Sequence, residues 1–162
     1  MSGEVSRPAT IEDLKKLIKS LNDNKVDYLL IGGYALHAHG YIRATTDIDI
    51  IVPADKLKGD KLRQALLVLP DKCAKDIDLS WFDKKGTIRV ADEVTVDIMF
   101  NACGQSYEDL KKYEEVIVLD GIPIRTVNLE GLWLTKRTIR HKDIADRKIL
   151  EAALRRLKKL KR

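Results

Sequence analysis

At 162 residues, with 44% hydrophobic and 34% charged side chains, the chain has the bulk of one globular domain, with or without a helical appendage. That composition excludes an intrinsically disordered chain, and no apolar run approaches the ~20 residues that span a bilayer. The net charge of +5 is polarised, because residues 131–162 hold twelve Lys/Arg against Asp143, Asp146 and Glu151, a local +9 that leaves −4 for the rest.

The N-terminus carries no signal-peptide core, so the expected location is cytoplasmic, with no membrane partner. Cys73 and Cys103 are too few for a disulfide framework and form no C-x-x-C pair; they are expected to be buried structural thiols. The basic end suits a polyanionic partner, or equally a solvated helix with a frayed tail.

In chain order, Thr10-Ile-Glu-Asp13 resembles a capping box, and Ile11, Leu14, Leu17, Ile18 and Leu21 recur at helical spacing up to Asn22-Asp-Asn24. Val26 to Ile31 reads as a buried strand, broken by Gly32-Gly33. A short helix from Tyr34 to His39 runs to Gly40, and Ile48 to Val52 is a second strand. Pro53-Ala-Asp55 starts a helix with Leu57, Leu62, Ala65, Leu66 and Leu69 as its apolar positions, ending at Pro70. Ile77 to Phe82, the turn Asp83 to Gly86, and Thr87 to Val90 predict a hairpin.

Val94 to Phe100 predicts a further strand and Tyr107 to Tyr113 a short helix. Val116 to Leu119 and Ile122 to Thr126 flank Asp120-Gly121, a two-residue hairpin turn, and Pro123 places the return strand at an edge. Asn128 is a plausible N-cap for two closing helices, Leu129 to about Thr138 and about Asp143 to Leu160. In the second of these, Ile144, Ile149, Ala153, Leu157 and Leu160 form an approximate stripe. The expected class is α/β, a mixed sheet flanked by helices. Residues 1–127 form its core and 128–162 a basic helical segment packed on that core.

Alternation along a strand puts Asp47 and Asp49 on one side, with Ile48 and Ile50 pointing into the core. Two carboxylates so close repel unless a cation lies between them, and oxygen-only donors favour Mg²⁺ or Mn²⁺. Gly32-Gly33, at a strand-to-helix turn, exposes backbone amides that can meet an anion. Asp97, in VTVDIMF, is an acid in an apolar strand and needs a partner, either a metal site or a lysine or arginine. Three acids beside a phosphate-holding turn match the needs of two-metal phosphoryl or nucleotidyl transfer, with Asp97 as a candidate base for the attacking hydroxyl.

Gly32-Gly33-Tyr34-Ala35, Gly40 and Arg43-x-Thr45-x-Asp47-Ile48-Asp49 resemble the signature of DNA polymerase β-like nucleotidyltransferases, in particular the small AbiEii-type prokaryotic group. Asp97 as third acid, and Leu132-Trp-Leu-Thr-Lys136 with Arg140, Lys142-Asp143 and Asp146, extend the likeness over about residues 26–150. The resemblance implies Asp47, Asp49 and Asp97 as catalytic metal ligands for two Mg²⁺ or Mn²⁺ ions. It implies Gly32, Gly33, Arg43, Thr45 and Lys136 as the nucleotide-binding set, and an NTP as substrate. Asp143 and Asp146 would secure the helix junction. Many relatives carry Gly-Ser where this chain has Gly32-Gly33, so one hydroxyl is absent. The acceptor would be RNA, such as a tRNA 3′ end, or a partner protein as in toxin–antitoxin systems. The alternative is a non-catalytic nucleotide or nucleic-acid-binding module.

Other chemistry-bearing side chains have plainer readings. His37 and His39 do not share a helix face, and His141 is remote, so zinc is not expected. Trp81 and Phe82 could stack a base but are expected in the core, as is Trp133 between the closing helices.

Overall fold

Thr10 opens the first helix, α1 (Ile11–Asp23), through a complete capping box: its hydroxyl accepts from the Asp13 amide at 3.3 Å, and the Asp13 carboxylate accepts from the Thr10 amide at 2.7 Å. This computed structural model describes residues 6–83, 86–138 and 140–160. After α1 come β1 (Leu29–Ile31), α2 (Gly32–Ala38), β2 (Ile48–Ile51) and α3 (Lys56–Leu66). Two 3-10 turns, Cys73–Asp76 and Leu79–Asp83, lead to β3 (Thr87–Ala91) and β4 (Thr95–Met99). A small ribbon, β5 (Asn101–Ala102) with β6 (Gln105–Ser106), precedes α4 (Tyr107–Lys111). The chain then forms β7 (Glu114–Leu119), β8 (Ile122–Val127), α5 (Leu129–Leu134) and α6 (His141–Leu160).

Six strands form one mixed sheet in the order β3-β4-β2-β1-β8-β7. β2 runs parallel to β4, and β1 parallel to β8; the other neighbours are antiparallel. Leu29, Leu30, Ile48, Ile50, Val96 and Ile98 are fully buried in it, and Leu14, Leu17, Ile18 and Leu21 of α1 join the same core. Burial of this kind contributes roughly 1.5–3 kcal/mol per large aliphatic side chain. Leu129 and Leu132 of α5 and Leu150 and Ala153 of α6 belong to that core too. The expected α/β class holds, and so does the β7–β8 hairpin, whose Asp120 and Gly121 both take positive φ, 50° and 80°.

Several local expectations give way. Residues 77–82 are not a strand. Leu79–Asp83 turns as a 3-10 segment so that Phe82 packs over Gly59 and edge-on against Phe100, with ring centres 5.5 Å apart. Of the turn expected at Asp83 to Gly86, Lys84 and Lys85 lie outside the described residues. The hairpin is instead β3–β4, turning near Asp92, whose buried carboxylate accepts from the amides of Asp71, Cys73 and Glu93 at 2.9, 2.9 and 2.7 Å. Pro123 is not on an edge strand, since β7 lies outside β8. It is tolerated because β1 meets β8 only at Leu30↔Thr126, three residues away.

Burial also departs from the expected stripes. Leu57 is 84% exposed, because α3 turns Gly59, Leu62, Ala65 and Leu66 inward instead. The buried face of α6 is Asp143, Asp146, Leu150 and Ala153, which leaves Leu157 and Leu160 in solvent. Trp81 is exposed although Phe82 is core, and Cys73 and Cys103 are only half-buried free thiols. Trp133 is half-buried and donates to Glu151 of α6 at 3.1 Å.

Candidate active site

The parallel pairing of β2 with β4 sets Asp49 directly beside Asp97. Neighbouring strands run about 4.8 Å apart, so two carboxylates in register on one face are close neighbours. Asp47 lies two residues before Asp49, just ahead of the strand, while Ile48 and Ile50 pack into the core on the other face. The three predicted acids thus come together on one face of the sheet, at the neighbouring interior strands β2 and β4. Burial, and then the negative charge of Asp97, push the Asp49 carboxyl up to about 6, against the opposing pull of Lys136 and Lys142.

A residue not singled out from the sequence completes the cluster. Arg89, on β3, stands opposite Asp97 in the antiparallel ladder. Its Nε donates to Asp97 Oδ1 at 3.0 Å and its Nη2 to Asp97 Oδ2 at 3.1 Å. The same Nη2 donates to Asp47 Oδ2 at 3.2 Å. The guanidinium is therefore the cation that both acids require, and its hydrogen bonds to Asp97 raise its own pKa further. Placing the hairpin at Thr87–Ala91 and Thr95–Met99 would have revealed it, because residues 89 and 97 then face each other across a turn centred on residue 93.

Beside the acids, β1 ends at Ile31, which pairs with Asp49, and the chain turns at once into α2. Gly32 takes φ +76°, and a β-carbon there would lie 2.3 Å from Asp49 Oδ2. Only glycine satisfies both demands. At Gly33 a β-carbon would lie 2.6 Å from Thr45 Oγ1 and 3.0 Å from an Arg43 Nη2. A threonine hydroxyl from the loop before β2 thus reaches the space that a serine at position 33 would enter. Gly32, Gly33, Arg43 and Thr45 accordingly share one rim with the acids.

Behind that rim is a buried ionic network. Arg43 places Nε 2.7 Å from Asp146 Oδ1 and donates from Nη2 to Asp146 Oδ2 at 2.9 Å. Lys136 pairs with Asp146 at 3.1 Å and with Asp143 at 3.5 Å. Thr138 and Arg140 donate to Asp143, and Arg147 donates to the carbonyls of Lys136 and Thr138. Asp143 and Asp146 therefore tie α6 to the end of α5 and to the loop of Arg43, as expected of a helix junction. Lys136 is buried and committed to these carboxylates, so it acts on Asp49 through its field and not as a free side chain at the rim. His39 Nε2 contacts the Val127 carbonyl at 2.8 Å, joining α2 to β8.

Among the described residues, no three acidic, imidazole or thiolate side chains converge tightly enough as they stand to hold a metal ion. The donor chemistry nevertheless fits a hard divalent cation. Oxygens of Asp47 and Asp97 already meet at one cationic nitrogen, and Asp49 beside them has its pKa lifted by burial and by the charge of Asp97. None of the described helices is long and apolar enough to cross a membrane.

No protein-family model matches the chain, and no curated protein sequence does. Among solved structures it is similar to a Thermotoga maritima protein described as a "putative nucleotidyltransferase", with a TM-score of 0.57 and 18% identity over 94% of this chain and 93% of that one. At that identity the likeness is one of fold: this chain, a mixed six-stranded sheet flanked by helices and closed by a C-terminal helix, has a nucleotidyltransferase-like fold.

Proposed function

We propose that the protein is a metal-dependent nucleotidyltransferase that moves NMP from an NTP onto an acceptor hydroxyl, releasing pyrophosphate. The reading rests on Asp47 and Asp97 meeting at one Arg89 nitrogen, with Asp49 in register beside Asp97 and next to the Gly32-Gly33 turn. Those three carboxylates would hold two Mg²⁺ or Mn²⁺ ions, which supply charge neutralisation for the triphosphate and acidify the acceptor hydroxyl. Gly32 and Gly33 leave the backbone bare at the rim, and Thr45 Oγ1 offers a hydroxyl donor there. Asp97 is the candidate to take the acceptor proton, and Lys136 and Lys142 hold Asp49 toward its ionised form. Arg43, locked to Asp146, positions the Thr45 loop.

RNA is the favoured acceptor. Arg155, Arg156, Lys158 and Lys159 are exposed on α6. Arg155 lies thirteen residues from Lys142, about 20 Å along the helix, a distance that an extended polyanion can bridge and a small acceptor cannot. The AbiEii-type resemblance would make a partner protein the acceptor, and the basic face argues for nucleic acid. The test incubates the protein with each labelled NTP, Mg²⁺ or Mn²⁺ and total tRNA, with Asp47→Asn and Asp49→Asn as controls. Label transfer that both substitutions abolish is the expected result. Nucleotide binding without transfer, unchanged by either substitution, would leave a non-catalytic binding module.

A further inference from the structure

Arg89 holds three of the four carboxylate oxygens of Asp47 and Asp97: both oxygens of Asp97 and Oδ2 of Asp47. A divalent ion shared by these two residues needs at least one of the same oxygens, so ion and guanidinium compete for them. The arginine is poorly matched to the cluster's charge. One positive charge meets three carboxylates, and Asp49 receives no hydrogen bond from it.

The side chain is also free to leave. Arg89 lies on β3, at the edge of the sheet, and its side chain is 62% exposed. Water can take over the guanidinium's hydrogen bonds, while the nearly buried Asp97 carboxylate needs another cation in its place. A cation that is close, singly charged and exposed is a placeholder. It keeps Asp97 compensated when nothing else does, and it yields to a better ligand.

We infer that Arg89 is a resident counter-cation of the acid cluster that must swing away from Asp47 and Asp97 before a divalent ion is held there, so that this one residue sets the ion concentration at which the site loads. The inference rests on the metal-dependent reading above. It explains why Asp47, Asp49 and Asp97 face one another without already forming a ligand set.

Mn²⁺ titration followed by the paramagnetic resonance of the free ion, at low salt and without nucleotide, tests it on wild type, Arg89→Gln and Asp49→Asn. Arg89→Gln is expected to bind Mn²⁺ about tenfold more tightly, the order expected when the ion no longer has to displace a charge-assisted arginine pair. Asp49→Asn should weaken binding. In wild type, a Mg²⁺ titration followed by NMR should move the Arg89 Nε–Hε resonance toward that of a free arginine, in step with saturation. This second readout needs no variant to fold. Unchanged or weaker affinity in Arg89→Gln, or an Arg89 resonance that stays put while the site saturates, overturns the inference and leaves the metal reading standing. No ion binding by any of the three proteins overturns both.

Discussion

The carboxylate of Asp49 occupies the place where Gly32 would carry a β-carbon, with Oδ2 2.3 Å from that point. The relationship couples the turn to the acid, since a side chain at position 32 and the Asp49 carboxylate cannot share that space. Gly32→Ala must therefore displace Asp49 as well as strain a backbone at φ +76°. A stability loss of roughly 1–3 kcal/mol is expected from the strain alone. Mn²⁺ binding should fall with it, and a urea titration alongside a binding isotherm measures both.

Asp49→Asn should separate function from stability. Burial and the neighbouring Asp97 hold the Asp49 carboxyl near 6, so at pH 7 the folded, metal-free protein carries a charge it disfavours. The raised acid contributes stability below about 4 that is lost as pH rises through about 6. The asparagine variant, uncharged throughout, should be at least as stable as wild type at pH 7 without metal, while transfer falls on the order of a hundredfold or more. Equilibrium denaturation at pH 7 and a transfer assay check the two halves.

Asp146 is fully buried between Arg43 and Lys136. Asp146→Ala leaves Arg43 without its carboxylate and Lys136 with only the longer contact to Asp143, which costs roughly 3 kcal/mol. The Thr45 loop should loosen at the same time. A drop in the denaturation midpoint, with faster amide exchange at residues 43–46, is the expected pair of observations.

Asp92 predicts the acid limb of stability. Its burial works to raise the pKa, but the amide hydrogen bonds from Cys73, Glu93 and Asp71 outweigh that and hold it below the ordinary value. A depressed acid contributes stability that is present above the unfolded value near 3.9 and lost as pH falls through the lower folded one. Asp92→Asn should therefore destabilise the protein at neutral pH and flatten its loss of stability below about pH 4. Thermal melts from pH 7 to 2 give the comparison.

Replacing Arg155, Arg156, Lys158 and Lys159 together by glutamine should weaken RNA binding across all sequences. It should lower the slope of log K against log salt by up to about 3, at about 0.7 for each single-strand phosphate no longer neutralised. An unchanged slope would place the docking surface elsewhere.

Where local chemistry sets the structure, the sequence was readable. The capping box at Thr10, the Asp120-Gly121 hairpin and the Asp47-x-Asp49 alternation each depend on neighbours within a few residues. Where burial is decided by charge pairing, it was not. Asp143 and Asp146 occupy two of the four buried positions of α6, spaced with Leu150 and Ala153 as an apolar stripe would be, but aspartate reads as solvent-facing until its partners are known. Arg89 escapes for a different reason: its significance is the pairing of β3 with β4, whereas the sequence predicts Thr87 to Val90 to pair with residues 77–82, which instead turn helically to hold Phe82 over Gly59.

By itself, the sequence determined the α/β class, the three acids and the glycine turn beside them, because residue type and spacing along two strands suffice for that. Only the tertiary structure decided which cations meet those acids. Arg89 reaches them across a strand pairing, and Lys136 is withheld from the rim by two aspartates of a helix. Electrostatic partnership depends on distance in space, and side chains as far apart in sequence as Arg43 and Asp146 come within 2.7 Å only once the sheet and its last helix have packed.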